Sequence, residues 1–259
     1  MDITQEPVPG AAAAASSETA GGHSNSAYTT SRYQLAVARY VRNYEATDLM
    51  AITGGPINFM SIVANLVAGV SLTYTDLICA LFPSLSNSVG TTTVNLDVDD
   101  IYDAMFQLNT SLVPIAPGLP WQTVLHQQQR NDFVSSLRSE AGALQYQAAT
   151  ADMIAAKGPG FNGTWNGVEF WQSDSVNAVA TSADRNGAMF GYGCFEWTYG
   201  PVANILARIN PGDVILATDE LFVERERDHV NGMTAPHLNL YPAVVEREDA
   251  RCVGIITDL

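Results

Sequence analysis

The chain has 259 residues, of which 47% are apolar and 15% are charged, a composition typical of a globular protein with a sizeable core. Its 12 Lys and Arg residues against 27 Asp and Glu residues give a formal net charge of -15. So acidic a chain is poorly suited to neutralise phosphates, which argues against an enzyme or regulator that wraps nucleic acid.

Residues 1–28 are rich in Ala, Ser, Gly and Pro and contain no Lys or Arg. Such a segment cannot bury enough apolar area by itself to offset the entropy lost on ordering. We expect an arm that is either disordered or ordered along a neighbouring molecule. The start of the chain also lacks the basic and apolar regions of a signal peptide, so we expect synthesis and assembly in a cytoplasm.

The next segment, TSRYQLAVARYVRNYEATDLM, spaces its apolar and aromatic residues as a helix does. Its basic residues fall on the opposite side, and we predict an amphipathic helix whose basic face carries Arg32, Arg39 and Arg42. Three interpretations of this face stay open: a solvated surface, pairing with an acidic neighbour, and contact with enclosed nucleic acid.

The segment NFMSIVANLVAGVSLTYTDLICALFPSL predicts an apolar core helix, restarted by a capping signal at Thr73 and Asp76 and ending near Pro83. We expect no run of about 18 apolar residues that spans a membrane. The alternation in TTTVNLDVDD predicts a half-buried strand, after which Asp99 and Asp100 cap a helix.

After a Pro-rich linker, we predict a strand at 123–125 and a helix in which Phe133 and Leu137 face the core. A further helix, TADMIAAKG, ends at Gly158. Turn signals at 162–163 and 166–167 introduce a region of strands that continues to the end of the chain. Helices therefore come first and strands last, which predicts the α+β class.

No motif predicts a cofactor, a metal ion or a catalytic site. GPGFNG at 158–163 has the spacing of a dinucleotide fingerprint, but a helix precedes it and a strand follows, the reverse of what phosphate binding needs. His229 and His237 lie on either side of an Asn-Gly turn without a third ligand. The three cysteines, Cys79, Cys194 and Cys252, are widely spaced in apolar contexts and predict buried free thiols.

One constellation stands out: the strand LFVERERDHV places acids on one face and bases on the other. A second charged stretch, VVEREDARCV, follows, and we predict that the two pair as a long ribbon whose charges need partners across strands or on another molecule. The candidate assembly residues of this ribbon are Glu224, Arg225, Glu226, Arg227, Glu246, Arg247 and Glu248.

Five segments in this order resemble the C-terminal half of the major capsid proteins of tailed phages with the Hong Kong 97-type fold. They are VLHQQQRNDFVSSLRSE, NGVEFWQSDSV, DRNGAMFGYGCFEW, ELFVERERDHVNGM and LYPAVVEREDARCVGIITD. The resemblance covers roughly residues 95–259. It depends on the order of the segments and on their residue patterns, since no single motif is diagnostic.

The resemblance implies a capsid fold with an N-terminal arm, a long helix, a peripheral β-ribbon domain and a central axial domain. It implies an arm at 1–28, a peripheral domain at 29–113 and 211–259, and an axial domain at 114–210. The stretch NGTWNGVEFWQSDSV then belongs to the scaffold of the axial domain. Some members of the family join subunits by Lys to Asn isopeptide bonds, but Lys157 is the sole Lys, at a helix end, so we expect no crosslinking.

The implied function is a non-enzymatic shell subunit that binds copies of itself in pentamers and hexamers around double-stranded DNA in the virion. Implied partners are a separate scaffolding protein, a portal and a decoration protein, with weak DNA contacts and no membrane. Two alternatives stay open. An encapsulin-like compartment shares the fold, and a β-rich hydrolase or adhesin would use Trp165 and Trp171 to stack on sugars.

Overall fold

The fold is seen in a computed structural model of the chain. The structure describes residues 2–5, 31–34, 36–47, 59–111, 113, 119–139, 146–176, 184–206, 208–209, 211–228 and 230–258. The arm predicted at 1–28 lies outside the described residues, except for a short strand at 2–5 that pairs with residues 31–34.

Helices and strands alternate along the described chain, so the fold mixes both kinds of element. The helices are α1 (Phe59–Cys79), α2 (Val98–Thr110), α3 (Gln127–Ser139), α4 (Ala151–Lys157) and α5 (Val202–Leu206). The strands are β1 (Asp2–Gln5), β2 (Ser31–Gln34), β3 (Tyr40–Asn43), β4 (Ala46–Thr47), β5 (Ser88–Gly90), β6 (Trp121–Leu125), β7 (Gln147–Ala148), β8 (Phe161–Trp165), β9 (Val168–Gln172), β10 (Arg185–Phe190), β11 (Phe195–Tyr199), β12 (Val214–Ala217), β13 (Leu221–Asp228), β14 (Met233–Leu240), β15 (Pro242–Glu246) and β16 (Cys252–Thr257).

A seven-stranded mixed sheet, in the order β5-β16-β10-β6-β9-β8-β7, forms the larger body of the molecule. The C-terminal strand β16 lies inside this sheet, antiparallel to β10 and parallel to β5. Helices α2 and α3 contribute apolar residues to the core cluster on this sheet. Strands from both sides of the predicted boundaries at 113/114 and 210/211 therefore meet in one sheet, and the division into domains stays a prediction.

Helix α2 begins with a capping box formed by two aspartates. The Asp97 side chain accepts hydrogen bonds from the backbone N–H groups of Asp99 and Asp100, at 2.8 and 3.1 Å, and the Asp100 side chain accepts one from the Asp97 N–H. The strand predicted over 91–100 is therefore wrong, since its acids start a helix, in which Asp97 is the N-cap residue and Asp100 completes the capping box. Val98 and Ile101 lie buried against the sheet.

The predicted strand-to-helix unit at β6 and α3 is confirmed, with Phe133 and Leu137 buried. The Gln129 side chain is also fully buried. Its amide nitrogen donates to the carbonyl oxygens of Arg185 and Ile255, at 3.2 and 3.1 Å, and to the Thr257 hydroxyl at 2.9 Å. Gln129 therefore connects α3 to both β10 and β16.

The stretch that begins at Asn162 is scaffold, as predicted. Asn166 (φ 49°) and Gly167 (φ 81°) form the tight turn between β8 and β9, which suits a two-residue hairpin. The turn predicted at Asn162-Gly163 is wrong: both residues lie inside β8, where Gly163 (φ 144°) forms part of a bulge against β9. Trp165 is buried in the core, 5.5 Å from the Phe133 ring.

A second sheet, in the order β12-β13-β14-β3 with β4 also on β14, packs against α1. The amphipathic helix predicted over residues 30–50 is wrong, because that segment contains β2, β3 and β4. In β3, the residues from Tyr40 to Asn43 pair with β14 from Leu240 to His237. The edge of β14 supplies backbone partners along its length, and these outweigh a helical spacing of side chains.

Helix α1 runs without interruption through the predicted restart. The Thr73 hydroxyl donates to the Gly69 carbonyl at 3.1 Å within the helix, so it caps no new one. The segment Ile62–Ser84 has a mean hydropathy of 1.6 and is long and apolar enough to cross a membrane, contrary to expectation. Its Val63, Leu66 and Val70 form the core with β13 and β14.

We predict that Gln129→Leu lowers the free energy of unfolding of the full chain by about 3 kcal/mol. The Arg185 and Ile255 carbonyl oxygens and the Thr257 hydroxyl would lose the amide group that donates to them. Denaturant unfolding of the soluble subunit measures this loss. Gln128→Leu is the matched control, since Gln128 is exposed on the same helix turn. Equal stability of the two variants would contradict a structural role for Gln129.

Candidate assembly interface

The predicted charged strand is β13, but its partner differs from the prediction. β13 pairs with β14 along its whole length, from Leu221 opposite Leu240 to Asp228 opposite Met233. The Asn231-Gly232 turn brings the next strand straight back, and so local pairing replaces the pairing predicted with VVEREDARCV. That second charged stretch begins in β15, which pairs with β11 instead.

The hairpin of β13 and β14 changes from buried to exposed along its length. Residues 221–223 lie in the core under α1, Glu224 is half-buried, and residues 225–227 are exposed. At the turn, the Val230 side chain is 93% exposed. The charged half of the hairpin is therefore exposed on β13, while its β14 side also pairs with β4.

Some of the charged side chains in the exposed half of the hairpin have partners within the chain. A Glu226 carboxylate oxygen lies 3.0 Å from the His237 ring nitrogen Nε2, and the Arg227 guanidinium donates to the Thr234 hydroxyl at 2.9 Å. These are cross-strand contacts of the exposed Glu226 and Arg227 side chains, and contacts of exposed charged groups contribute little to stability. They leave both faces of the hairpin charged.

At the base of the hairpin, three side chains form a network around Asn239, which is fully buried. Arg39 donates twice to the Asn239 side-chain oxygen, at 3.0 and 2.7 Å. The Asn239 amide nitrogen donates to the Glu224 carboxylate at 2.8 Å. The network connects the segment before β3 to the two strands of the hairpin.

The three arginines predicted on one helix face occupy different places. Arg39 precedes β3 and binds Asn239, whereas Arg42 lies in β3 with its guanidinium against α1 at Gly69. Arg32 lies in β2, where only the backbone is described. The structure therefore does not bring them together, and their role in assembly stays a prediction.

The second group of candidate residues lies between β15 and β16. The Arg247 guanidinium lies 3.7 Å from the Glu196 carboxylate, and the Arg247 backbone N–H donates to the Cys194 carbonyl at 2.7 Å. Burial and a hydrogen bond with Asp249 raise the pKa of Glu246 to about 7. Glu248 is half-buried beside them. These residues form a corner of the fold, separate from the hairpin.

Several exposed apolar side chains were not predicted as interface residues. Tyr192 is 71% exposed, Phe106 is 70% exposed and Trp197 is 52% exposed. Tyr192 and Trp197 line an open groove of about 470 Å³ together with Leu119 and Arg247. The sequence gives one signal for this groove, an aromatic residue between two glycines at 191–193, but nothing in it separates an exposed Trp from a core one.

Lys157 is occupied within its own chain. Its ammonium group forms an ion pair with the Glu169 carboxylate and lies 4.9 Å from the centre of the Phe161 ring. The absence of crosslinks between subunits stays a prediction, and this pairing supports it.

No family model and no curated protein matches the chain. Solved structures do match its fold. The head structure of Helicobacter pylori bacteriophage KHP40 has a TM-score of 0.67 at 8% identity, covering 99% of this chain and 83% of that one. The capsid of Ralstonia phage GP4 has a TM-score of 0.62 at 10% identity, covering 99% and 82%. The holo-SrpI encapsulin complex from Synechococcus elongatus has a TM-score of 0.54 at 14% identity, covering 88% and 75%.

The match extends over nearly the whole chain, including both sheets and the hairpin. At these identities it concerns the fold alone. The chain has the fold that these phage head and capsid proteins share.

We predict that Asn239→Leu lowers the free energy of unfolding by about 3 kcal/mol, because Arg39 and Glu224 lose their shared buried partner. Urea unfolding of the dissociated subunit measures this loss. Asn43→Leu, at an exposed position of the adjacent strand, is the matched control and should change stability by less than about 0.5 kcal/mol. A loss no larger than that of the control would contradict the network.

Proposed function

We propose that the chain is the major capsid protein of a tailed phage, a non-enzymatic subunit that assembles into the icosahedral or prolate head shell around double-stranded DNA. The observation that carries the proposal is the similarity of fold to phage head and capsid proteins over nearly the whole chain. The sequence resemblance to the Hong Kong 97-type family also supports it.

The surface of the subunit agrees with this role. The charged residues 225–227 of the β13–β14 hairpin are exposed, and so are large apolar side chains such as Tyr192 and Phe106. A monomer gains nothing from either feature, whereas a shell buries them against neighbouring copies. We therefore propose that the hairpin residues 224–227 contact a neighbouring subunit, with Arg32, Arg39, Arg42, Glu246, Arg247 and Glu248 as further assembly residues.

The proposed domains follow the fold in one respect. Helix α1 and strands β3 and β12–β14, which pack together, all lie in the ranges proposed as the peripheral domain, 29–113 and 211–259. Residues 114–210 form the proposed axial domain, although they share the seven-stranded sheet with β5 and β16. Residues 1–28 are the proposed arm toward neighbouring subunits.

The partners and location follow from the role. The subunit binds itself in pentamers and hexamers, in the virion, after assembly in the host cytoplasm. A separate scaffolding protein, a portal and a decoration protein complete the head. Its net charge of -15 disfavours tight contact with the phosphates of packaged DNA, so the contact is weak and without sequence specificity. No cofactor is required, and the exposed side of α1 is proposed to be covered by protein rather than lipid.

An encapsulin-like compartment is the second candidate, favoured by the similarity to the SrpI encapsulin complex. Shell contents separate the two: nuclease-protected DNA supports a phage head, and a defined protein cargo supports a compartment. The hypothesis of a sugar-binding hydrolase or adhesin loses its support, because Trp165 is buried in the core and Trp171 packs on Phe161.

We predict that Arg225→Glu combined with Arg227→Glu leaves a soluble subunit with normal circular dichroism but reduces the yield of shells at least about tenfold relative to the parent chain. The exposed arginines contribute little to the subunit's own stability. Between subunits, each reversal would leave a desolvated acid without its partner, at about 3 to 5 kcal/mol per contact. Sedimentation and negative-stain micrographs measure the yield.

The control variant, Arg138→Glu combined with Arg208→Glu, changes the net charge equally at two other exposed positions. It should assemble like the parent. Shells at parental yield from the hairpin variant would show that the subunit contacts lie elsewhere. Equal losses in both variants would mean that total charge, rather than the hairpin, controls assembly.

A further inference from the structure

Two thiols and two carboxyl groups come together where the turn after β10 meets the corner between β15 and β16. Potential ligand atoms of Glu246, Asp249 and Cys252 all lie within 4.8 Å of one another. The Cys194 side chain belongs to the same buried cluster as Cys252. Both cysteines are almost fully buried, and both carboxyl groups are half-buried. The cluster thus joins side chains from two segments that are distant in sequence.

We propose that Glu246, Asp249 and Cys252 bind a zinc ion, with the buried Cys194 thiol beside them. Thiolate sulfur with carboxylate oxygen in a four-coordinate set is a combination that zinc accepts, whereas Mg²⁺ and Ca²⁺ prefer oxygen ligands alone. Zinc bonds of about 2.0 to 2.3 Å place tetrahedral ligands about 3.5 Å apart. The ligand atoms of Glu246, Asp249 and Cys252 lie within 4.8 Å of one another, so inward movements bring them to these separations, and a water molecule can take the fourth position.

The charges in the cluster favour a cation. The carboxylate oxygens of Glu246 and Asp249 lie within 4.8 Å of each other, a separation at which two negative charges repel unless a proton or a cation lies between them. A divalent ion satisfies both acids at once. It also supplies the charge that makes a buried thiolate tolerable.

The surrounding backbone holds the ligand segments in place. The Arg247 and Glu248 N–H groups donate to the Cys194 carbonyl, at 2.7 and 3.3 Å. The Ser86 N–H donates to an Asp249 carboxylate oxygen at 3.1 Å, which orients that side chain. A zinc ion here would fix the corner between the seven-stranded sheet and the β11–β15 pair, next to the groove lined by Tyr192 and Trp197.

Two simpler interpretations compete with a metal site. In the first, the cysteines are ordinary core residues, since the Cys252 sulfur lies 3.5 Å from the carbonyl oxygens of Glu248 and Asp249 and can donate to them. In the second, the two thiols form a disulfide under oxidising conditions. The following test separates both from zinc binding.

The full chain is dialysed against zinc chloride and then against zinc-free buffer, and bound zinc is measured by plasma mass spectrometry. We expect one zinc ion per chain and a thiolate charge-transfer band when Co²⁺ replaces zinc. Cys252→Ala and Glu246→Gln should each weaken zinc binding at least about tenfold. Cys79→Ala is the matched control, because Cys79 is also a buried free thiol but does not belong to the cluster of Glu246, Asp249 and Cys252.

Zinc retained by Cys252→Ala or by Glu246→Gln at the level of the parent would overturn the proposal. So would a parent chain that binds no zinc while both thiols react with iodoacetamide after denaturation, which identifies core cysteines. Thiols that react only after reduction would identify a disulfide and equally exclude the metal site. Glu246→Gln changes a half-buried group, so it remains informative if Cys252→Ala fails to fold.

Discussion

The fold depends on one placement: the C-terminal strand lies inside the seven-stranded sheet rather than at its edge. Strand β16 pairs with β10 on one side and β5 on the other, so residues far apart in the chain must meet before the sheet is complete. Gln129 strengthens this arrangement, since one buried amide group bonds to β10 and β16 from α3. Because contacts of such sequence separation are costly to close, we expect this sheet to form late in folding.

The position of β16 also determines where the corner before it and the hairpin of β13 and β14 lie. The segment that leads into it forms the corner at Glu246–Arg251, and before that corner the chain runs through β15 from the hairpin of β13 and β14. The base of the hairpin is held by α1 and by the buried Asn239 network. Its charged end is exposed on β13, while β4 pairs with β14 beside it. An anchored base and an exposed charged end suit an element that contacts a neighbouring subunit.

The sequence predicted those elements whose signals are local. The unit of β6 and α3, the end of α4 at Gly158 and the turn at Asn166-Gly167 depend on side chains within a few residues, and the structure contains all three. The predictions failed where tertiary pairing decided the outcome. Residues 30–50 have a helical spacing but supply strands to the edge of β14, and alternating acids before α2 form a cap rather than a strand.

The candidate site shows the same division. The charged strand was predicted, because the alternation of charge sign is visible in the sequence. Its partner strand was not predicted, because two later stretches could pair with it, and it pairs with the one nearer in sequence, β14. The cysteines were predicted as separate buried thiols. Their burial is confirmed, yet Cys194 and Cys252 are neighbours in space, which their separation in sequence conceals. Exposed aromatics such as Phe106 carry no sequence signal that distinguishes them from core residues.

The most direct test of the account is a cryo-electron microscopy map of particles purified from cells that make the chain. We predict a closed shell in which each subunit has both sheets and in which the exposed segment from Arg225 to Arg227 lies against a neighbouring copy of the chain. A closed shell with that segment facing solvent would contradict the proposed interface. A preparation that contains only monomers under the conditions in which phage heads form would contradict the proposed function itself.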